Sequence, residues 1–232
     1  MSFLLNFVAN TLVTGLGAAT GLQASLRASQ NLRPYPLPRQ FAGLLELPLR
    51  RQYLDPGEVL GMYGVNAGME VLDAGCGTGI FTVEMARMLG GQSGSQSGSQ
   101  GASPVSSQGR VHAVDLQPSM IERTQARVAE AGVGNLVQLH QVGLYDLPFA
   151  DDSIDLAVLI STLGEIRDKP AALSELRRVL KPGARLGVTE EMLFTTYQLA
   201  GSARRWVEEA GFRFLAKTGS PLCYHMVFVN EK

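Results

Sequence analysis

Three glycines at alternate positions, Gly75, Gly77 and Gly79, separate an aspartate, Asp73, from a helical pattern in VLDAGCGTGIFTVEMA, residues 71–86. Without Cβ atoms, such a backbone can turn sharply from a strand into a helix and approach a ligand closely. The first candidate is a dinucleotide, whose loop reads G-x-G-x-x-G/A. It fails twice: the third glycine position falls on Ile80, and a pyrophosphate would meet the carboxylate of Asp73. A ligand carrying a cationic amino group suits Asp73 better. A ribose calls for a second acid at the end of the following strand, and Asp115 in VHAVDLQP holds that place. Asp115 lies 36 positions after Gly79, and the 18 residues 91–108, GQSGSQSGSQGASPVSSQ, make up half of that distance. Without them the spacing returns to the usual ~20.

The elements that must position these residues alternate in type. Strands are expected at about 69–74, 110–115, 136–141, 154–160 and 184–190, and helices at about 79–89, 118–131, 169–180 and 197–210. Over 169–180, Ala172, Leu173, Leu176, Val179 and Leu180 share one helical face, and Pro182-Gly183 is read as the stop. Repeated β-α order means a parallel sheet with helices on both sides. The end breaks the pattern: FRFLAK and CYHMVFV, joined by TGSP, read as an antiparallel strand pair. The doubled SGSQ of 91–108 contains almost nothing apolar and is expected to be a disordered loop inserted between the first helix and the second strand.

A glycine loop, an acid at its start and an acid for a ribose together describe S-adenosylmethionine (SAM). VLDAGCGTG resembles motif I of the class I SAM-dependent methyltransferases. LPFADDSID followed by LSELRRVLKPGARL resembles the ubiquinone/menaquinone-methyltransferase-like (methyltransferase type 11) branch, over roughly residues 54–230. The resemblance implies an α/β, Rossmann-like, seven-stranded, mostly parallel sheet with a C-terminal antiparallel pair. It also implies a cofactor site. Asp73, Gly75, Cys76, Gly77 and Gly79 would surround the methionine part, Asp115 would take the ribose hydroxyls, and Leu116 would pack on the adenine. Leu144 and Asp146 would lie beside the base, and Ile160 and Ser161 would line the cofactor and face the acceptor. Two positions depart from the branch. Its adenine-binding acid falls on Gly143, with Asp146 three positions late, and a histidine common in relatives is replaced by Gly164 in STLGEI.

Tyr145, Thr162, Glu165 and Glu190 fall at carboxyl ends of strands, where an acceptor would sit. The first three are the catalytic candidates. His112, His140 and His225 lack metal-ligand spacing, so no metal is expected. A sulfonium is already a strong methyl donor, so alignment and exclusion of water are the main tasks. A base is needed only for an acceptor that must lose a proton.

At the level of the chain, 232 residues with 45 % hydrophobic content suit one α/β domain with some extra chain. A net charge of −1 and a pI near 6.3 give no field that would gather nucleic acid. The pairs Arg50–Arg51, Arg177–Arg178 and Arg204–Arg205 read as solvated surface. Two cysteines, Cys76 and Cys223, exclude a disulfide framework and point to a reducing, cytoplasmic compartment. Residues 1–40 form a separate apolar helical segment ending in the Pro-rich linker RPYPLP, and the methyltransferase-like domain spans 41–232. Residues 1–26 carry no charge. Asn6, Asn10 and Thr14 make a narrow polar stripe among large apolar side chains, and Arg27, Arg33 and Arg39 follow. That pattern suits a helix lying in a membrane interface or docked on the domain better than a span. The expected acceptor is accordingly small and hydrophobic or lipid-like. Methylation of a macromolecule, or SAM binding without catalysis, remain the alternatives.

Overall fold

A computed structural model describes residues 50, 53–91, 109–194 and 196–232. The N-terminal segment and all of the insert except Gly91 lie outside the described residues. Seven strands form one sheet: β1 (Glu70–Ala74), β2 (Arg110–Val114), β3 (Val137–His140), β4 (Ile154–Ile160), β5 (Leu180–Glu191), β6 (Phe212–Gly219) and β7 (Cys223–Asn230). Their spatial order is β3-β2-β1-β4-β5-β7-β6. The first five pair in parallel, and β7 runs antiparallel to both β5 and β6. This is the mostly parallel sheet with an antiparallel end pair that the sequence implies.

Among the described residues, five helices cover the sheet: α1 (Pro56–Tyr63), α2 (Ile80–Leu89), α3 (Pro118–Glu130), α4 (Lys169–Val179) and α5 (Ala200–Glu209). Val59, Leu60 and Tyr63 of α1, Phe81, Met85 and Ala86 of α2, and Val128 of α3 pack with Val71 and Val158 on one face. Leu173, Leu176 and Val179 of α4 and Ala203 and Val207 of α5 pack with Leu72, Leu159 and Leu186 on the other. Among the described residues, no helix is long and apolar enough to cross a membrane.

Two expectations shift. The helix expected over 169–180 ends at Val179, and Leu180 already belongs to β5, opposite Ile154. Pro182-Gly183 therefore sits within an irregularity of the β4–β5 pairing, before Arg185 resumes it opposite Leu156. The segment is apolar enough for either state, and pairing with β4 decides it. Helix α1 was not foreseen. It has a complete set of end signals: Asp55 accepts from the Glu58 amide at 2.9 Å, Pro56 opens the first turn, and Gly64 closes it at φ 88°.

The chain builds β1, β2 and β3 toward one edge and then returns, so that β4 pairs with β1 on its other side. Loops leaving β1 and β4 diverge at this point, which opens a crevice at the carboxyl ends of the strands.

Candidate active site

The crevice is built from five loops. The first follows β1. The amides of Gly75 and Cys76 both donate to the Val114 carbonyl, at 2.8 and 2.9 Å, tying the loop to β2. Gly75 has φ 85°, and a Cβ there would lie 2.6 Å from the Thr162 side chain. Gly79 has φ 78°, and a Cβ there would meet Thr124 at 2.8 Å. These glycines let the loop squeeze between the β4 turn and α3 while its backbone stays open to a ligand. Thr124 reinforces the turn by donating to the Gly77 carbonyl at 2.9 Å.

Two carboxyls flank the loop. Asp73 is buried and accepts from Thr82 Oγ1 at 2.5 Å. Burial pushes its carboxyl up to about 7 against that hydrogen bond, with Asp115 adding repulsion. Asp115 accepts from the Gly77 amide at 3.0 Å and from the Gln117 amide at 2.8 Å. Burial raises Asp115 while these amides oppose the rise. Each oxygen keeps lone-pair capacity for a further donor, which is what two ribose hydroxyls require. Leu116 beside it is 61 % exposed over the crevice, close to Gly143, as a platform for a flat base.

The crevice lining also includes Ser161, Thr162, Glu165, Ile166, Phe81 and Phe194. Ser161 adopts φ 56°, a conformation that costs a residue with a side chain on the order of 1–3 kcal/mol. There its amide donates to the Thr189 carbonyl at 2.7 Å and its hydroxyl to Glu191 at 2.6 Å. Glu191 also accepts from Arg50, through Nε at 3.0 and 3.2 Å and Nη2 at 2.7 Å, and from the Tyr53 hydroxyl at 3.0 Å. Arg50 is 5 % exposed and lines the crevice, its guanidinium 5.9 Å from the ring centres of both Phe81 and Phe194.

The structure thus brings together on one crevice Asp73, Gly75, Cys76, Gly77, Asp115, Leu116, Leu144, Tyr145, Ile160, Ser161, Thr162 and Glu165. Gly79 caps α2 immediately behind it. Asp146 is exposed and outside the lining. The Cys76 thiol is buried and pushed far up by that burial, so it is inert at neutral pH. The Tyr145 hydroxyl accepts from the Asp168 amide at 3.2 Å, and the Thr162 hydroxyl donates to the Ile160 carbonyl at 3.1 Å. Of the three catalytic candidates, Glu165 alone offers a carboxylate. Gly164 has its reason in packing, since a Cβ there would lie 1.8 Å from the Thr196 carbonyl oxygen. His112 and His140 pair across β2 and β3 at 3.2 Å, with Glu70 at 2.8 Å from the former, away from the crevice.

The reading of the arginine pairs as solvated surface is corrected by Arg50 and by Arg178. Arg178 bonds Glu175, Asp151 and the carbonyls of Leu147 and Phe149. Arg50, Phe81, Phe194 and Glu191 were missed because nothing local marks them. The one readable signal was the absence of another basic residue between Arg51 and the glycine loop.

The chemistry of this crevice fits S-adenosylmethionine: an acid for the ribose, an apolar platform for the base, an open glycine backbone, and a buried cation and acid for the zwitterionic end. Comparison with known proteins agrees. The methyltransferase domain family matches residues 65–213. Ubiquinone/menaquinone biosynthesis C-methyltransferase UbiE of Marinomonas sp. (strain MWYL1) is 35 % identical over 127 residues, covering 55 % of this chain and 44 % of that one. The protein of the same description from Hahella chejuensis is 33 % identical over 127 residues, covering 55 % and 45 %. The chain therefore spans less than half the length of these curated relatives. The fold also matches the crystal structure of a SAM-dependent methyltransferase from Aquifex aeolicus, with TM-score 0.71 at 22 % identity, over 84 % of this chain and all of that one. With the family's match extending over more than half of its length, the chain belongs to the S-adenosylmethionine-dependent methyltransferase domains of class I.

Proposed function

We propose that this chain transfers a methyl group from SAM to a small, apolar acceptor, with a quinol-type ring as the leading class. The observation that carries this reading is the crevice lining, which includes the apolar Phe81, Phe194 and Ile166 together with the polar Ser161 and Glu165. The relatives named for C-methylation in quinone biosynthesis support the same class.

When bound, SAM supplies an electrophilic methyl on a sulfonium, which leaves as a neutral thioether. Asp115 would hold the ribose hydroxyls, and the Cβ-free backbone at Gly75 and Gly77 would let the methionine part pass close by. Arg50, paired with Glu191, would meet the methionine carboxylate, and Asp73 would lie on the ammonium side. Phe81 and Phe194 exclude water and align a flat ring with the methyl, an effect worth several kcal/mol. A phenolic acceptor must lose a proton to become a good carbon or oxygen nucleophile, and Glu165 is the crevice carboxylate that receives it. Residues 1–26 would bring the crevice to a membrane surface where such acceptors dissolve.

Labelled SAM offered with short-chain quinols, phenols, thiols and a protein mixture tests this reading. Label is expected in the quinol or phenol fraction, with kcat falling at least tenfold in Glu165→Gln. Label confined to thiols or to protein would overturn it.

A further inference from the structure

One buried carboxyl beside the crevice has no part in the mechanism above. Glu190 is the penultimate residue of β5, on the face opposite Glu191, at 1 % exposure. Its Oε2 accepts from the Gln198 amide at 3.1 Å, and the Gly164 amide faces the same carboxyl. Its Oε1 has no hydrogen-bond partner among the described residues. The two amides belong to different loops. Gly164 lies in the turn Leu163–Glu165, between Thr162 and Ile166 of the crevice wall. Gln198 follows Phe194, also of that wall, and folds back with its side chain donating to the Thr196 carbonyl at 2.7 Å. The loops touch where Gly164 meets Thr196, with no room for a side chain.

We propose that Glu190 is a positioning residue that clamps the turn Leu163–Glu165 against the segment Thr196–Gln198, and that it does so as the uncharged acid, so that its ionisation loosens the acceptor wall. The surroundings require the uncharged form. Glu165 on the turn and Tyr224 on β7 are the acids beside it, with Glu191 on the same strand and Tyr63 on α1 acting from the other face of the sheet. Lys169 on α4 is the cation among its neighbours. The Lys169 ammonium, however, donates to the Ile166 carbonyl at 2.8 Å and sits 5.0 Å from the Trp206 ring centre. Burial with no ion pair disfavours a carboxylate, and the Glu190 carboxyl is accordingly pushed up to about 8. In the unfolded chain the group ionises in its ordinary range, near 4.5. Stability is therefore complete below that range and is lost as pH rises toward 8.

The test compares Glu190→Gln and Glu190→Ala with the unaltered chain by thermal unfolding at pH 5.5 and 8.5 and by SAM calorimetry. Glutamine mimics the uncharged acid and cannot ionise. Its midpoint relative to the unaltered chain is expected to rise by at least about 4 °C on going from pH 5.5 to 8.5. SAM affinity at pH 7 is expected to stay within twofold for Glu190→Gln and to weaken at least fivefold for Glu190→Ala. A midpoint difference that does not change with pH would mean that Glu190 is a carboxylate, and would overturn the proposal. Glu190→Ala binding SAM like the unaltered chain would overturn the clamp. Should Glu190→Ala fail to fold, SAM affinity at pH 5.5 and 8.5 decides the clamp: the unaltered chain is expected to lose at least fivefold more affinity than Glu190→Gln over that rise, and equal losses in the two would overturn it. Failure of the unaltered chain to bind SAM would sink the proposed function, while the midpoints still decide the state of Glu190.

Discussion

Arg50 and Glu191 stand 141 positions apart in sequence, yet their side chains are 6 % and 1 % exposed and joined at 2.7 Å. A buried pair of this kind is weak evidence for stability, because desolvation offsets the attraction. Arg50 lines the crevice while Glu191 lies behind it, a placement that fits a ligand role for the cation. Removing one partner strands the other, which costs about 3–5 kcal/mol. Glu191→Ala is therefore expected to lower the unfolding free energy by about 3 kcal/mol in denaturant titrations. The double variant Arg50→Met, Glu191→Leu should recover most of that loss and yet bind SAM at least tenfold more weakly by calorimetry. Full SAM affinity in the double variant would make the pair purely structural. The residues that the sequence singles out and the structure places on the crevice, Asp73, Gly75, Cys76, Gly77 and Asp115, share a different property. Each belongs to a local strand-turn pattern whose chemistry is contained in a few neighbours. Arg50, Glu191 and Phe194 acquire their role only when α1, β4 and β5 have been assembled, and no spacing in the chain announces that.

Helix α4 explains why two separated stretches, LPFADD and LSELRRV, occur together. Glu175 accepts from the Leu147 amide at 2.7 Å, and Arg178 bonds Glu175, Asp151 and the Leu147 and Phe149 carbonyls. The helix thus holds the loop after β3, which carries Leu144 and Tyr145 into the crevice. Arg178→Met is expected to speed amide exchange across residues 142–149 and to weaken SAM binding about three- to tenfold, one or two charge-assisted bonds after discounting for partial exposure. Arg204→Met, which removes an exposed pair with Glu208 on α5, is the control and should change neither. At this scale the sequence was legible where periodicity was long. The helical face of Leu173, Leu176 and Val179 identified α4, and alternation identified β6 and β7. It was not legible at the α4–β5 junction, where an unbroken apolar run serves either state. Nor was α1 visible, since eight residues containing Gly57 and Gly61 give too little pattern to stand out from their caps.

For the whole molecule, the seven-stranded order places every crevice loop at one end of the sheet, so the fold and the candidate crevice were legible together once the β-α alternation was seen. The acceptor was not, because the residues proposed to meet it come from distant loops. Residues 1–26 lie outside the described residues, and the proposal for them rests on the sequence. The arginines at 27, 33 and 39 beside the uncharged residues 1–26 favour an anionic membrane surface. The full chain is expected to sediment with anionic liposomes, whereas a chain starting at Gln40 should stay in solution and still bind SAM. Equal partitioning of the two would refute membrane contact, and loss of SAM affinity in the shorter chain would make the segment a cover for the crevice. The central claim is that the crevice between the glycine loop and Asp115 is a SAM site. Calorimetry of SAM with the unaltered chain and with Asp115→Ala tests it most directly. Two hydroxyls on a carboxylate contribute about 1.5–3 kcal/mol, so the account expects one site per chain in the unaltered protein and affinity at least tenfold lower in Asp115→Ala, with the ligand-free unfolding midpoint essentially unmoved. Equal affinity in the two proteins, or no binding by the unaltered chain, would contradict it.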